Sequence, residues 1–179
     1  MDYTEKPVRR ISNYEGVIVE LTEDIVELPN GKTSIREVVH HPGGVCVAAV
    51  DGDGMVTLVR QFRYPFGEHL LELPAGKLEK GEDPLPAAQR ELSEETGLEA
   101  GVWRDLGAIY TSPGFSTEKL YLYLATDLRQ GQAHPDPNEF LDVERMPLSQ
   151  LVELVNQGAV CDAKTVVGAL KAAAILGRI

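Results

Sequence analysis

The chain has 179 residues, 43% of them hydrophobic and 25% charged, which is the balance of an ordinary globular protein rather than a disordered one. The formal net charge of −11 argues against nonspecific binding to nucleic acid or to anionic membranes. No apolar run is long enough to cross a bilayer, and the polar segment Met1 to Arg10 does not have the pattern of a signal peptide.

The first forty residues predict short β-strands. Residues 16–22 and 25–28 carry β-branched side chains, residues 29–32 form a turn signal, and residues 33–40 alternate again. We therefore predict that residues 1–40 form a small antiparallel β segment outside the main core.

Residues 41–179 predict one layered α/β (α+β) domain with a mixed sheet. Asp83 and Pro84 are favourable residues for the start of the clearest helix, which ends near Thr96 with Gly97 as its left-handed cap. An apolar strand and its return flank a strong hairpin turn at Asp51 to Gly54. The predicted strands are 44–50, 55–62, 69–73, 107–111, 120–126 and 140–146, and the two further helices are 148–158 and 163–176.

Three glutamates are crowded on the helix after Asp83. Glu91 and Glu95 are four residues apart and share a face, which Glu94 flanks. Their mutual repulsion, close to the negative end of the helix dipole, requires a counter-charge. Clustered carboxylates suit Mg²⁺ or Mn²⁺. Arg90 can orient one carboxylate through a bidentate pair.

The helix belongs to a longer motif. From Gly76 to Leu98 the sequence reads GKLEKGEDPLPAAQRELSEETGL. It matches every fixed position of G-x5-E-x7-R-E-U-x-E-E-x-G-U, where U is aliphatic, and chance agreement is on the order of 10⁻⁹ to 10⁻¹⁰ per start position. In this motif the chain resembles the Nudix hydrolases.

The resemblance implies a Nudix-type α/β/α sandwich and metal-dependent hydrolysis of the pyrophosphate bond of a nucleoside diphosphate derivative. The ion, Mg²⁺ or Mn²⁺, would neutralise the diphosphate and lower the pKa of a bound water. The metal ligands that the resemblance implies are Ala75 (through its carbonyl), Glu91, Glu94, Glu95 and Glu139.

Outside the motif, the chain layout resembles the ADP-ribose pyrophosphatase branch of that family. That branch has an N-terminal strand-rich segment, a Glu-Leu-Pro-Ala-Gly run (here Glu72 to Gly76) and a proline after the box (here Pro113). It implies ADP-ribose as substrate, with AMP and ribose 5-phosphate as products, and a homodimer formed through residues 1–40. The candidate substrate contacts are Arg60, Arg63, Glu72, Pro113, Gly114 and Glu118.

One position departs from that branch. The branch has two glutamates, one residue apart, before the last strand, and the first is thought to activate water. Here Glu139 matches the second, but Pro137 stands in place of the first. Asp136 is adjacent and shorter, and the proline restricts its backbone. The alternatives for the general base are therefore Glu139, Asp136, Glu94 or a metal-bound hydroxide. Arg90 completes the candidate catalytic set.

Two other readings stay open. One is a Nudix hydrolase acting on NADH, a dinucleoside polyphosphate or a nucleotide sugar such as GDP-mannose. The other is a catalytically silent Nudix domain that senses nucleotides and regulates a partner. Neither Cys46 nor Cys161 has a second cysteine nearby in the sequence, which argues against both a zinc site and a disulfide framework. This use of cysteine suits the reducing cytoplasm.

Overall fold

The computed structural model of the protein describes residues 2–135 and 137–178. The candidate base Asp136 lies outside the described residues. The chain divides into two compact units, the first formed by Met1–Gly43 and Tyr110–Lys119 and the second by Gly44–Ile109 and Leu120–Ile179.

The first unit contains a three-stranded antiparallel sheet. Its strands are β1 (Lys6–Glu15), β2 (Glu20–Glu27) and β3 (Thr33–His40), and they follow one another in this order across the sheet. The predicted small antiparallel sheet is confirmed, and so are the bounds of β3. The prediction of a strand over residues 16–22 was wrong at its start, because Gly16 and Val19 close a turn through a backbone hydrogen bond of 2.9 Å. β1 was not predicted because every residue except Ile11 is exposed, and such a strand shows no alternation of apolar and polar residues.

The second unit contains a seven-stranded mixed sheet. The strands are β4 (Gly44–Val50), β5 (Met55–Arg63), β6 (Glu68–Glu72), β7 (Ala75–Lys77), β8 (Leu98–Tyr110), β9 (Lys119–Gln130) and β10 (Leu141–Pro147). β4 pairs in parallel with β9 and antiparallel with β5 and β7, while β5 also pairs with β10 and β6. β8 is much longer than the predicted strand 107–111. The prediction was too short because Gly101 and Gly107 interrupt the sequence pattern of this strand.

Helices cover both faces of this sheet. They are α1 (Pro84–Thr96), α2 (Leu148–Asn156) and α3 (Ala163–Leu176). Every residue of β4 is buried, and its side chains alternate between two cores. Val45, Val47 and Ala49 pack in the core that contains residues of α1, whereas Cys46, Ala48 and Val50 pack in the core that contains residues of α2 and α3. The predicted α/β/α sandwich with a mixed sheet is confirmed.

The end of α1 holds the loop that follows β9. Gly97 has a φ of 70°, as predicted for a left-handed cap, and a side chain there would meet the backbone of Gln132 and Ala133. The amide of Gly131 donates to the Gly97 carbonyl at 2.7 Å, and the amide of His134 donates to the Glu94 carbonyl at 3.0 Å. The chain that leads to Glu139 is therefore tied to the carboxylate-bearing end of α1.

Candidate active site

Two of the three α1 glutamates point into the protein. Glu91 is 8% exposed and Glu95 is 1% exposed, whereas Glu94 is only partly buried. Helical spacing places these side chains on neighbouring positions, and the apolar residues of the same helix pack against the sheet. The fold thus forces carboxylates into an environment that disfavours their charge.

Arg90 is the cation that the protein itself supplies to this cluster. Its Nε and Nη2 atoms donate to the two carboxylate oxygens of Glu82, both at 3.0 Å. Its Nη1 atom donates to Glu91 Oε1 at 2.9 Å and to Glu94 Oε2 at 3.0 Å. The bidentate pair of Arg90 is formed with Glu82 and not with one of the three clustered glutamates, whereas single hydrogen bonds from the same guanidinium orient Glu91 and Glu94. The hydrogen bond from Arg90 is the main reason that the pKa of Glu82 is lowered.

Glu95 is held from the β7 side of the site. The amide of Ala75 donates to Glu95 Oε2 at 3.1 Å. The other oxygen, Oε1, is buried and has no hydrogen-bond partner among the described residues. Burial raises the pKa of Glu95 to about 8, with the charges of Glu139 and Glu91 adding to the rise and the Ala75 amide opposing it. A buried carboxylate oxygen without a donor is the kind of group that a bound cation satisfies.

Glu91 and Glu139 complete the described acidic set. Burial raises the pKa of Glu91 against the opposing effect of Arg90, and the charge of Glu139 raises it further. Glu139 therefore lies close enough to act electrostatically on both buried glutamates. Gly76 lies directly against the Glu91 carboxylate, and a Cβ atom at this position would collide with it. Glycine is required here for close approach rather than for turn geometry.

The donor chemistry of this set fits a divalent cation. All the side-chain donors are carboxylate oxygens, which Mg²⁺ and Mn²⁺ prefer, and Glu95 Oε1 has no other partner in the part of the chain that the structure describes. Within residues 2–135 and 137–178, no three acidic, histidine or cysteine side chains converge as a ready-made ion site. Glu91 and Glu94 are turned towards Arg90 instead, so a bound ion and Arg90 would share the same carboxylates.

A second charged network, which the sequence did not reveal, lies between β5, β6 and the start of α3. Arg63 donates from Nε and Nη2 to Glu72 at 2.6 and 2.7 Å. Lys164 also donates to Glu72, and it donates to Asp162 at 2.9 Å. Glu72 is 1% exposed. Its carboxylate is therefore occupied by two cations of the protein and does not face solvent.

The remaining candidate substrate contacts make none of the ion pairs of these two clusters. Arg60 is paired with Glu144 on β10, with 2.5 Å between Nε and Oε1. Pro113, Gly114 and Glu118 belong to the first unit. There Glu118 accepts a hydrogen bond from Thr111 at 2.6 Å and lies 3.6 Å from His41 Nδ1. Their contact with a substrate stays a prediction.

A comparison with protein families decides the classification. The model of the NUDIX domain family matches residues 40–166, more than half of the chain. The chain belongs to the Nudix family. The resemblance inferred from residues 76–98 is thereby confirmed, and the carboxylate face of α1 is the Nudix box of a Nudix domain.

Relatives of this Nudix domain match it over nearly their whole length. An ADP-ribose pyrophosphatase of Bacillus subtilis is 44% identical, with 90% of this chain and 88% of the relative covered. A protein named methanol dehydrogenase activator, from Bacillus methanolicus, is 41% identical, with 92% and 90% covered. A crystal structure titled ADP compounds hydrolase has a TM-score of 0.83 over 97% of each chain at 23% identity, which shows the shared fold.

The close contact at Gly76 gives a first test of the Nudix site. Gly76→Ala is expected to lower kcat by roughly 10-fold or more, because the new methyl group displaces the Glu91 carboxylate. Gly52→Ala is the matched control, since no atom of the described residues lies within 4 Å of a Cβ atom there. Steady-state kinetics and thermal unfolding of both variants check this. Equal kcat values for the two variants would show that the close contact between Gly76 and Glu91 does not affect catalysis.

The burial of Glu95 predicts how the stability of the metal-free Nudix domain depends on pH. Its folded pKa of about 8 lies above the ordinary value of 4.5, so the folded state keeps a proton that the unfolded state releases. The stabilisation is fully present below pH 4.5 and is lost as the pH rises through 8. Urea unfolding in EDTA is expected to show a loss of roughly 2–4 kcal/mol from pH 5 to 8.5.

Glu95→Gln provides the comparison for this titration, because the amide has a similar shape and does not ionise. The variant is expected to show a distinctly shallower loss of unfolding free energy over the same pH range. Identical slopes for the wild type and Glu95→Gln would contradict the account of Glu95 as a buried carboxyl group.

Proposed function

We propose that the protein is a divalent-metal-dependent hydrolase that converts ADP-ribose and water into AMP and ribose 5-phosphate. The observation that carries this proposal is the Nudix box with its buried glutamates, above all Glu95, whose Oε1 has no partner among the described residues. The choice of ADP-ribose is supported by the 44% identical relative that is named ADP-ribose pyrophosphatase.

The residues proposed to hold the ion are Ala75 (through its carbonyl), Glu91, Glu94, Glu95 and Glu139. Their oxygen donors suit Mg²⁺ or Mn²⁺. When bound, the ion neutralises the diphosphate and increases the acidity of water at the site. Arg90 fixes the orientation of Glu91 and Glu94 by donating a hydrogen bond to each of them. The buried position of Glu91 and Glu95 limits competing contacts with bulk water.

The chemical step is a displacement at phosphorus. The oxygen of water forms a bond to one phosphorus atom while the bond from that phosphorus to the bridging oxygen breaks, and the bridging oxygen leaves with the other phosphate. The attacking water loses a proton, for which Glu139 is the candidate acceptor. Its charge is felt by both Glu91 and Glu95, which supports a position at the reacting centre. Glu94 is the next candidate, but its Oε2 is engaged by Arg90.

Arg63 is the proposed contact for a phosphate or ribose group. Its side chain is 37% exposed although its partner Glu72 is buried, so the guanidinium reaches the surface. Glu72 then acts indirectly, by holding Arg63. Arg60 is proposed as a second cationic contact, and Pro113, Gly114 and Glu118 as further substrate contacts, on the strength of the resemblance alone.

Residues 1–40 are proposed to form the homodimer interface, and residues 41–179 to form the hydrolase domain. The three-stranded sheet of the first unit and the turn between β1 and β2 leave several large apolar side chains exposed, which supports an interaction surface there. They are Val8, Tyr14, Val17, Ile18 and Ile35. The oligomeric state is measured by light scattering of the purified chain.

We place the protein in the reducing cytoplasm, with neither nucleic acid nor membrane as a partner. Both cysteines are free in the structure, Cys46 buried and Cys161 exposed, as a reducing compartment permits. None of the helices in the described part of the chain has the length and apolar character to cross a membrane.

A second candidate function is regulation of a partner protein. It is favoured by the 41% identical relative whose name is methanol dehydrogenase activator. Pro137 in place of a candidate base is the feature of this chain that agrees with it. The intact box glutamates favour hydrolysis.

A substrate panel tests the proposed function. Purified protein is incubated with Mg²⁺ or Mn²⁺ and, separately, with ADP-ribose, NADH, ADP-glucose, GDP-mannose and a diadenosine polyphosphate. The highest kcat/KM is expected for ADP-ribose, with AMP as product. A higher value for another substrate would reassign the specificity, and no turnover of any compound would favour the regulatory function.

A further inference from the structure

Lys164 has an unusual position for a lysine. It lies in the first turn of α3, is 9% exposed, and donates to the carboxylates of Glu72 and Asp162. Burial opposes its protonation, but the charges of Asp162 and Glu72 outweigh this effect and raise its pKa. Lys164 is therefore a buried cation with two fixed partners.

Of the two cations in this network, Arg63 is the one that lies near solvent. Glu72 Oε2 accepts from both Lys164 and Arg63 Nη2, and Glu72 Oε1 accepts from Arg63 Nε. The remaining nitrogen of Arg63, Nη1, has no partner among residues 2–135 and 137–178. Arg63 is 37% exposed, against 11% for the side chain of Lys164. The buried part of the network thus fixes the plane of a guanidinium on a side chain that is partly exposed.

The start of α3 also anchors the backbone next to Glu72. Asp162 caps the helix by accepting from the amide of Thr165 at 3.0 Å and from its hydroxyl at 2.6 Å. The amide of Leu73 donates to the Thr165 hydroxyl oxygen at 2.9 Å. The capping group of α3 therefore holds both the side chain of Glu72, through Lys164, and the backbone of the following residue.

We infer that Lys164 is a positioning residue for substrate binding, which acts through Glu72 to hold Arg63 towards an anionic group of the substrate. This inference rests on the proposed function. Charge and geometry agree, since Lys164 offsets the carboxylates that would otherwise neutralise Arg63. Loss of Lys164 leaves Glu72 and Asp162 with Arg63 as the one cation of this network, which weakens attraction of a diphosphate.

The experiment compares Lys164→Met with Lys171→Met, which removes another α3 lysine whose Nζ donates to the Leu106 carbonyl. For ADP-ribose with Mg²⁺, Lys164→Met is expected to raise KM on the order of 10-fold and to change kcat less than about threefold. Lys164→Arg is expected to restore KM to within about threefold of the wild type. Lys171→Met is expected to leave KM unchanged, even if the melting temperature falls.

A second pair of variants removes the risk that Lys164→Met fails to fold because the buried Glu72 keeps only one cationic partner. Glu72→Gln is expected to raise KM as Lys164→Met does, and Glu72→Gln/Lys164→Met is expected to be no worse than Glu72→Gln alone. The affinity for Mn²⁺ without nucleotide should be unchanged in all of them.

The outcomes separate the two claims. An unchanged KM in Lys164→Met, a loss confined to kcat, or additive effects in the double variant would overturn the role of Lys164. A wild-type protein that neither hydrolyses nor binds ADP-ribose would overturn the proposed function first, and the inference with it.

Discussion

Replacement of Glu95 by Gln is expected to lower kcat on the order of 10³-fold while the fold stays intact. Glu95 is the most deeply buried of the box glutamates and its Oε1 has no partner among the described residues. Glutamine preserves the side-chain volume and the carbonyl oxygen that accepts from the Ala75 amide. It removes the negative charge on which binding of a cation depends.

Glu99→Gln is the matched control for this variant, because Glu99 is an exposed glutamate only four residues further along the chain. Its kcat is expected to equal that of the wild type. Single-turnover kinetics with ADP-ribose, together with circular dichroism, check both variants. Wild-type activity in a folded Glu95→Gln protein would exclude Glu95 from the metal site.

Replacement of Arg90 by Met is expected to lower kcat by roughly 10- to 100-fold, the range for residues that orient metal ligands. Arg90 holds Glu82, Glu91 and Glu94 simultaneously, so its loss releases three carboxylates at once. Their repulsion is also expected to destabilise the metal-free protein by about 1–3 kcal/mol. Saturating Mg²⁺ should recover part of that loss, because an ion that binds only the folded state stabilises it.

Arg104→Met serves as the control, since Arg104 is exposed on β8. Urea unfolding with EDTA and with Mg²⁺, followed by steady-state kinetics, separates the two effects. If Arg90→Met and Arg104→Met had the same kcat and the same unfolding free energy, Arg90 would have no role in orienting the glutamates.

Much of the fold follows from local signals. The bounds of β3, β4 and α3 agree with the sequence analysis because each combines a clear hydrophobic period with turn or cap residues at its ends. α1 was predictable for the same reason, with Pro84 at its start and Gly97 at its end. Local physics was sufficient where apolar periodicity and end signals coincided.

β1 shows where such signals run out. Its exposed residues have no alternation, and the strand exists because it pairs with β2 along its length. Pairing between strands is decided by the partner and not by the strand's own composition. The apolar stretch Val17 to Val19, which attracts a strand prediction, lies at the turn between the two strands.

The candidate site was predictable only where its residues are near in sequence. Glu91, Glu94 and Glu95 could be placed on one helix from their spacing alone. Lys164 and Glu72 are far apart in the chain, and a lysine in the first turn of an apolar helix looks like a solvated charge. Only the packing of α3 beside β6 shows that Lys164 is buried against Glu72. A long-range ion pair leaves no pattern in a single sequence.

The central claim is that the carboxylate face of α1, together with Ala75, holds divalent ions against a diphosphate. The most direct measurement is a crystal structure with Mn²⁺ and a non-hydrolysable methylene analogue of ADP-ribose, with anomalous scattering used to locate the metal. Manganese peaks beside Glu91 and Glu95, in contact with the diphosphate oxygens, are the predicted result. Bound analogue with no manganese at these glutamates would contradict the claim.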